Sequence, residues 1–195
     1  MSHFFAMLFR MKYINRWGLM RNVRNESLCE HSLDVALIAH ALCVIRNTRF
    51  GGDVNPERAA VLAMFHDCSE IFTGDLPTPV KYYSPEIRDA YHSIEDFSKV
   101  KLLSMLPDDL REAYGEYIVP GGDDAELLIL VKAADKIAAL FKCVGEQNAG
   151  NTEFVRARAS IEAAIEKMNL PETACFMEEF YDSFSLTLDD QHFHP

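Results

Sequence analysis

The sequence predicts an all-α protein, a globular helical bundle, on three observations. Apolar residues recur at helical spacing along nearly the whole chain, strand-like alternation is absent, and capping residues punctuate it at intervals. With 195 residues and 49% hydrophobic content, one domain spanning 1–195 can bury a core of its own.

Ser2 is placed to cap a first helix that runs to about Ile14. The stretch "MSHFFAMLFRMKYINRW" is apolar and basic but has no continuous apolar run and no small-residue cleavage site. It reads as an amphipathic helix and not as a signal peptide. Trp17 to Asn25 reads as a loop. Ser27 and Glu30 form an S-x-x-E capping box, which starts a second helix that runs to about Asn47. "RFGGDVN" is a turn. Asn55 then caps a third helix with Pro56 at its first position, and the pattern carries it to about Phe72. Glycine and prolines make "TGDLPTPV" a rigid loop. Ser84 and Pro85 open "SPEIRDAYHSIEDFSKVKLLSML", and "VPGGDD" is a loop. Asp123 and Glu126 open a long helix to about Gln147, closed by "NAGN". Asn151 or Thr152 starts another to Met168, Pro171 a last one to about Ser183, and "DDQHFHP" is a polar tail. No internal repeat or second-domain boundary stands out.

The formal net charge of −11 argues against binding a nucleic-acid polymer or an anionic membrane surface. Five scattered cysteines, Cys29, Cys43, Cys68, Cys143 and Cys175, match no metal or redox spacing and predict reduced thiols in a cytoplasmic protein. No stretch reads as long and apolar enough to span a membrane.

Helical spacing also says where ionisable groups point. Val35, Ile38, Leu42 and Ile45 form the apolar stripe of the second helix, and His31 lies one turn before it on the same face. Leu62, His66 and Glu70 stack on the third helix, with Asp67 beside them. Leu128, Val131, Asp135 and Ala138 share a face of the long helix. His31, His66, Asp67 and Asp135 therefore point inward from three helices. Burying unpaired carboxylates costs several kcal/mol, and a divalent metal supplies the missing positive charge most simply. Lysines at 132 and 136 are the alternative partners for Asp135, and a single inward histidine is most often a hydrogen-bonded core residue. His40 faces the opposite side of its helix and His92 lies off its apolar stripe. His3, His192 and His194 are near the termini. All five are assigned surface or packing roles. Taken alone, Glu70 reads as a helix glutamate, Asp75 as a turn residue, Arg16 as a surface arginine and Trp17 as a core-edge tryptophan.

The pattern of His31, then His66–Asp67, then Asp135 on helices resembles the HD-domain superfamily of metal-dependent phosphohydrolases. The flanks "INRWGLMRNVRNESLCEHS" and "HDCSEIFTGDLPTPVK" resemble those of the bacterial HD-domain 5′-deoxynucleotidases, over essentially the whole chain. The resemblance implies an HD-domain bundle that hydrolyses deoxyribonucleoside 5′-monophosphates to deoxynucleoside and phosphate, as a homodimer. It implies one divalent ion held by His31, His66, Asp67 and Asp135. Cobalt, manganese or copper is typical, with zinc, iron or magnesium as alternatives. It makes Glu70 the general acid/base, with Asp75 as a second catalytic candidate. Substrate contacts fall to Arg16 on the phosphate, Trp17 on the sugar, the loop Asp75, Leu76, Pro77 and Thr78, and the ligands His31, Asp67 and Asp135. The alternatives are another HD phosphohydrolase, acting on an alarmone or other nucleotide, or a non-catalytic helical protein that binds metal or nucleotide.

Overall fold

A computed structural model describes residues 1–191 of the protein, and no strand occurs among them. The helices are α1 (Phe4–Leu8), α2 (Leu28–Arg49), α3 (Pro56–Phe65), α4 (Glu70–Thr73), α5 (Thr78–Lys81), α6 (Pro85–Leu103), α7 (Asp108–Ile118), α8 (Ala125–Asn148), α9 (Val155–Met168) and α10 (Pro171–Phe180). Several starts follow the capping chemistry. Ser27 Oγ accepts the Glu30 N–H at 3.2 Å while Glu30 Oε2 accepts the Ser27 N–H at 2.8 Å. Asn55 Oδ1 takes the Arg58 N–H at 2.9 Å, and Ser84 Oγ takes that of Ile87 at 3.3 Å.

Two hydrophobic clusters make the interior. The larger joins α2, α3, α8, α9 and α10, with Leu42, Leu130 and Ile137 fully excluded from solvent. Each such side chain contributes roughly 1.5–3 kcal/mol by burial. The smaller gathers Phe4, Met11, Leu28, Cys68, Leu102, Leu106 and Ile118. The chain passes between clusters at three places, from Leu28 to Val35 in α2, from Ala63 to Cys68 after α3 and from Ile118 to Leu127 into α8. His31, His66 and Asp67 lie on the first two crossings.

Four expectations are corrected. The first helix stops at Leu8 and tightens into a 3-10 turn over Phe9–Tyr13; His3 is its N-cap residue, while Ser2 Oγ accepts the Phe4 N–H at 3.4 Å and its hydroxyl donates to the Met105 carbonyl at 2.6 Å. The third helix ends at Phe65 and does not reach Phe72. The His66, Cys68 and Glu70 N–H groups donate three residues back, to Ala63, Phe65 and Asp67, so the chain tightens there into turns before α4. The rigid loop "TGDLPTPV" carries the short α5, and α7 was not anticipated at all, although Pro107 ahead of Asp108 and Asp109 is a helix-start signal. Finally, α2 is long and apolar enough by composition to cross a membrane. Its apolar stripe is instead the core: Val35, Ile38, Leu42 and Ile45 are all buried. His192 and His194 lie outside the described residues.

Candidate active site

The first turn of α2, the turn after α3 and the middle of α8 bring the four inward groups together. His31 is fully buried, and its Nε2 lies 3.0 Å from Asp135 Oδ1 and 3.9 Å from Asp67 Oδ2. His66 Nε2 lies 3.1 Å from the same Asp67 oxygen. Ligand atoms of His31, His66 and Asp67 all fall within 4.8 Å of one another, and Asp135 joins this cluster through His31. The Asp67 and Asp135 side chains keep 26% and 36% of their exposure, so the cluster opens to solvent on its carboxylate side. Neither Lys132 nor Lys136 is within ion-pair distance of Asp135, which removes the lysine alternative.

The electrostatics follow from this packing. Burial disfavours the His66 imidazolium, but the Asp67 carboxylate outweighs it and lifts the pKa to about 9. Burial also opposes ionisation of Asp67 and Asp135, yet the imidazoles hold both below the usual carboxylate range. Desolvation of the fully buried His31 ring lowers its pKa, with the Asp135 hydrogen bond opposing. The residues suit a metal. His66 Nδ1 donates to the Ala63 carbonyl at 2.6 Å, which turns Nε2 toward the cluster, where a metal would take the place of its proton. That Nε2 is buried and has no hydrogen-bond partner. Two neutral nitrogens and two carboxylates are a donor set for a first-row divalent ion.

Glu70 opens α4 and is 3% exposed. It is not the stacked, solvent-edge residue of a continuous helix. Lys81 Nζ, at the end of α5, donates to Glu70 Oε1 at 2.7 Å and also lies over the Tyr91 ring. Glu70 Oε2 is buried and unpartnered. Burial raises the Glu70 pKa, the Asp67 charge adds to it and Lys81 opposes it, leaving the group near 7. Lys81 is a functional candidate that helix-face reasoning missed; its place eleven residues on, beyond two prolines, hides the pairing from any periodicity.

Arg16 and Trp17 sit at the foot of the loop before α2. The Arg16 N–H donates to the Glu26 carbonyl at 2.9 Å and the Leu28 N–H to the Ile14 carbonyl at 2.8 Å, which pinches the loop shut. Arg16 is half-buried, with Nη1 3.7 Å from Asp67 Oδ2 and Nε 3.2 Å from Glu26 Oε2. Trp17 holds the left-handed conformation, φ +59°. Its N–H donates to Asp75 Oδ2 and its Nε1–H to Glu26 Oε2, both at 3.2 Å. The surface-arginine and core-edge readings therefore give way to a loop that faces the cluster. Asp75 is tied to Trp17 and is not a free turn residue, Leu76 and Pro77 are half-buried, and Thr78 is exposed at the start of α5. His3, His40 and His92 are exposed, and His92 pairs with Glu95.

An all-α bundle that presents two histidines and two aspartates at the junction of three helices, beside a buried glutamate, has the donor set and the acid/base group of a metal-dependent hydrolase. An HD-domain phosphohydrolase from Listeria innocua superposes with a TM-score of 0.81 at 26% identity, covering 93% of this chain and 88% of that one. A cyanophage S-2L HD phosphohydrolase, bound to dA and one catalytic Zn²⁺, shares the fold with a TM-score of 0.65 at 18% identity, over 93% and 96% of the two chains. Residues 3–184 match the 5′-deoxynucleotidase YfbR-like family, and the chain belongs to that family. It is 51% identical to a 5′-deoxynucleotidase of Erwinia tasmaniensis over 97% of this chain and 96% of that protein. It is also 51% identical to the Escherichia coli 5′-deoxynucleotidase YfbR over 97% and 95%.

Proposed function

We propose that this metal-dependent 5′-deoxynucleotidase holds one divalent ion through His31, His66, Asp67 and Asp135 and cleaves the phosphate ester of deoxyribonucleoside 5′-monophosphates. The convergence of the His31, His66 and Asp67 donor atoms carries this reading, with Asp135 beside them and Glu70 buried alongside. A bound divalent ion lowers the pKa of its water and neutralises phosphate charge. Glu70, with a pKa near 7, accepts a proton from the attacking water, and Lys81 keeps its carboxylate from turning away. Arg16 orients the phosphate with its planar fork. Trp17 forms a wall against the sugar, and exclusion of a 2′-hydroxyl there accounts for preference for deoxyribose. Asp75 with Leu76, Pro77 and Thr78 closes the other side; Asp75 contacts a sugar hydroxyl or orients water. The ion is cobalt, manganese or copper on the family resemblance, and the zinc named with the cyanophage protein makes zinc a necessary arm of the test. We also assign a cytoplasmic homodimer. Five free thiols support a reducing compartment, and the exposed Leu33 and Leu37 on α2 supply apolar area for a second copy.

The test is phosphate release from metal-stripped protein after adding back Mn, Co, Cu, Zn or Mg, with dAMP, AMP and 3′-dAMP in parallel. Turnover of dAMP well above the other two, and only with metal, is expected. Silence on all three with metal bound would favour an alarmone substrate or a non-catalytic role.

A further inference from the structure

Glu26, just ahead of the α2 cap, is 9% exposed and has no role among the site residues given above. A single oxygen, Oε2, accepts the Trp17 indole N–H and lies 3.2 Å from Arg16 Nε. The Arg16 contact is an ion pair without hydrogen-bond alignment, because that Nε is left unpartnered. The Glu26 carbonyl also takes the Arg16 N–H. One residue thus holds two side chains and the backbone between them.

Those side chains need holding. A bulky residue at φ +59° is strained and persists only where its surroundings over-determine it. Asp75 takes the Trp17 N–H, Asn22 Nδ2 donates to its carbonyl at 3.2 Å, and the Phe154 ring packs edge-on at 5.4 Å. Among the described residues, only Glu26 makes a polar contact with the indole itself. Among the described residues Arg16 has two anionic neighbours, Glu26 and Asp67. Removing the Glu26 charge leaves Asp67 as its sole partner and draws the guanidinium toward the metal cluster.

We infer that Glu26 is a positioning residue for deoxyribose selection: its carboxylate couples the guanidinium that meets the phosphate to the indole that walls the sugar. This rests on the roles given above to Arg16 and Trp17. Exchange to glutamine keeps the shape and removes the charge. Exchange of Trp17 to phenylalanine keeps a ring and removes the indole N–H.

The experiment measures kcat and KM for dAMP and AMP at saturating metal, using the full chain, Glu26→Gln, Trp17→Phe and the double variant, with metal content checked in each. Glu26→Gln is expected to lower the dAMP/AMP ratio of kcat/KM roughly tenfold, chiefly through a gain in kcat/KM for AMP as the sugar wall loosens. Trp17→Phe should lower the ratio similarly, and the double variant no further than the larger single effect. A merely structural Glu26 would lower both substrates equally and leave the ratio unmoved, which overturns the inference. Full discrimination in Trp17→Phe also overturns it, and that arm stands if Glu26→Gln fails to fold. Equal kcat/KM for dAMP and AMP in the unsubstituted chain would instead refute the sugar-wall reading on which the coupling rests.

Discussion

Replacing Lys81 with methionine tests the assignment of Glu70 as the proton acceptor. In the folded protein the Lys81 ammonium donates to Glu70 at 2.7 Å, with side-chain exposures of 19% and 4%. It opposes the burial that pushes the carboxyl up, and the balance stands near 7. An opposite charge this close lowers a carboxyl by about 1–3 units, and the partial exposure of the lysine puts the effect at the lower end, about 1–2. Without the ammonium the Glu70 pKa therefore rises. A general base must be deprotonated, so the ascending limb of kcat/KM against pH should move to higher pH by the same about 1–2 units. Each unit is a factor of about ten below the limb. At about pH 6 the variant should be roughly ten- to a hundredfold slower than the parent, and the two should converge above about pH 9. The bound ion acts on Glu70 in both proteins, so its contribution cancels to first order in the difference. Methionine keeps an unbranched stem of similar length beside Tyr91, over whose ring the Lys81 ammonium lies. The assay is phosphate release from dAMP across the pH range, with metal content held equal. An unmoved limb in a folded, metal-loaded variant would refute the role of Glu70; a moved descending limb would make it the acid.

Asp135→Ala should lose metal and activity together, read by metal content and turnover, because it removes a carboxylate from the cluster. Glu70→Gln should keep the metal and lose about 10²–10⁴ in kcat; near-normal turnover would rule out its role. Glu146 is buried, and although burial opposes its ionisation, Lys142, the Val23 and Arg24 N–H groups and Asn151 hold its pKa at about 2. A depressed carboxylate stabilises the fold above its unfolded pKa and loses that as pH falls, so Glu146→Gln should cost about 2–3 kcal/mol at about pH 7 and much less near pH 2. Urea unfolding at both pH values checks this, and a constant gap would contradict it. In the Glu70→Gln background, where turnover is slow, calorimetry should show dAMP binding at least about tenfold weaker after chelation.

The four inward positions were legible because helical periodicity reports direction. His31 stands one turn before an apolar stripe, and Asp135 lies between Val131 and Ala138, so both had to face the core. The capping box at Ser27 fixed the start of α2, and with it the depth of His31. Periodicity failed where the chain leaves the helix. The turn at His66 arises from its own surroundings, a ring nitrogen close to the Ala63 carbonyl and N–H bonds three residues back, and no residue type announces it. The partners Lys81 and Glu26 were invisible for the same reason. Each reaches its target across a loop, and no spacing rule links positions 81 and 70 or 26 and 17. The resemblance to a family named Arg16 and Trp17 but said nothing of what holds them.

Charge balance explains why this site should depend on an ion to bind as well as to react. Glu26, Asp67, Glu70, Asp75 and Asp135 bring five carboxylates to one region, while Arg16 and Lys81 bring two permanent cations. Three negative charges are left over when the histidines are neutral ligands. A phosphate dianion approaching that surface, on a chain of net charge −11, meets repulsion before any contact forms. A divalent ion covers two of the three, and Glu70, half-protonated near neutral pH, covers part of the last. Deprotonation of Glu70 as pH rises strengthens the base and weakens attraction for the substrate. The two effects oppose each other in KM and kcat, so the alkaline side of the profile should appear in KM for dAMP first.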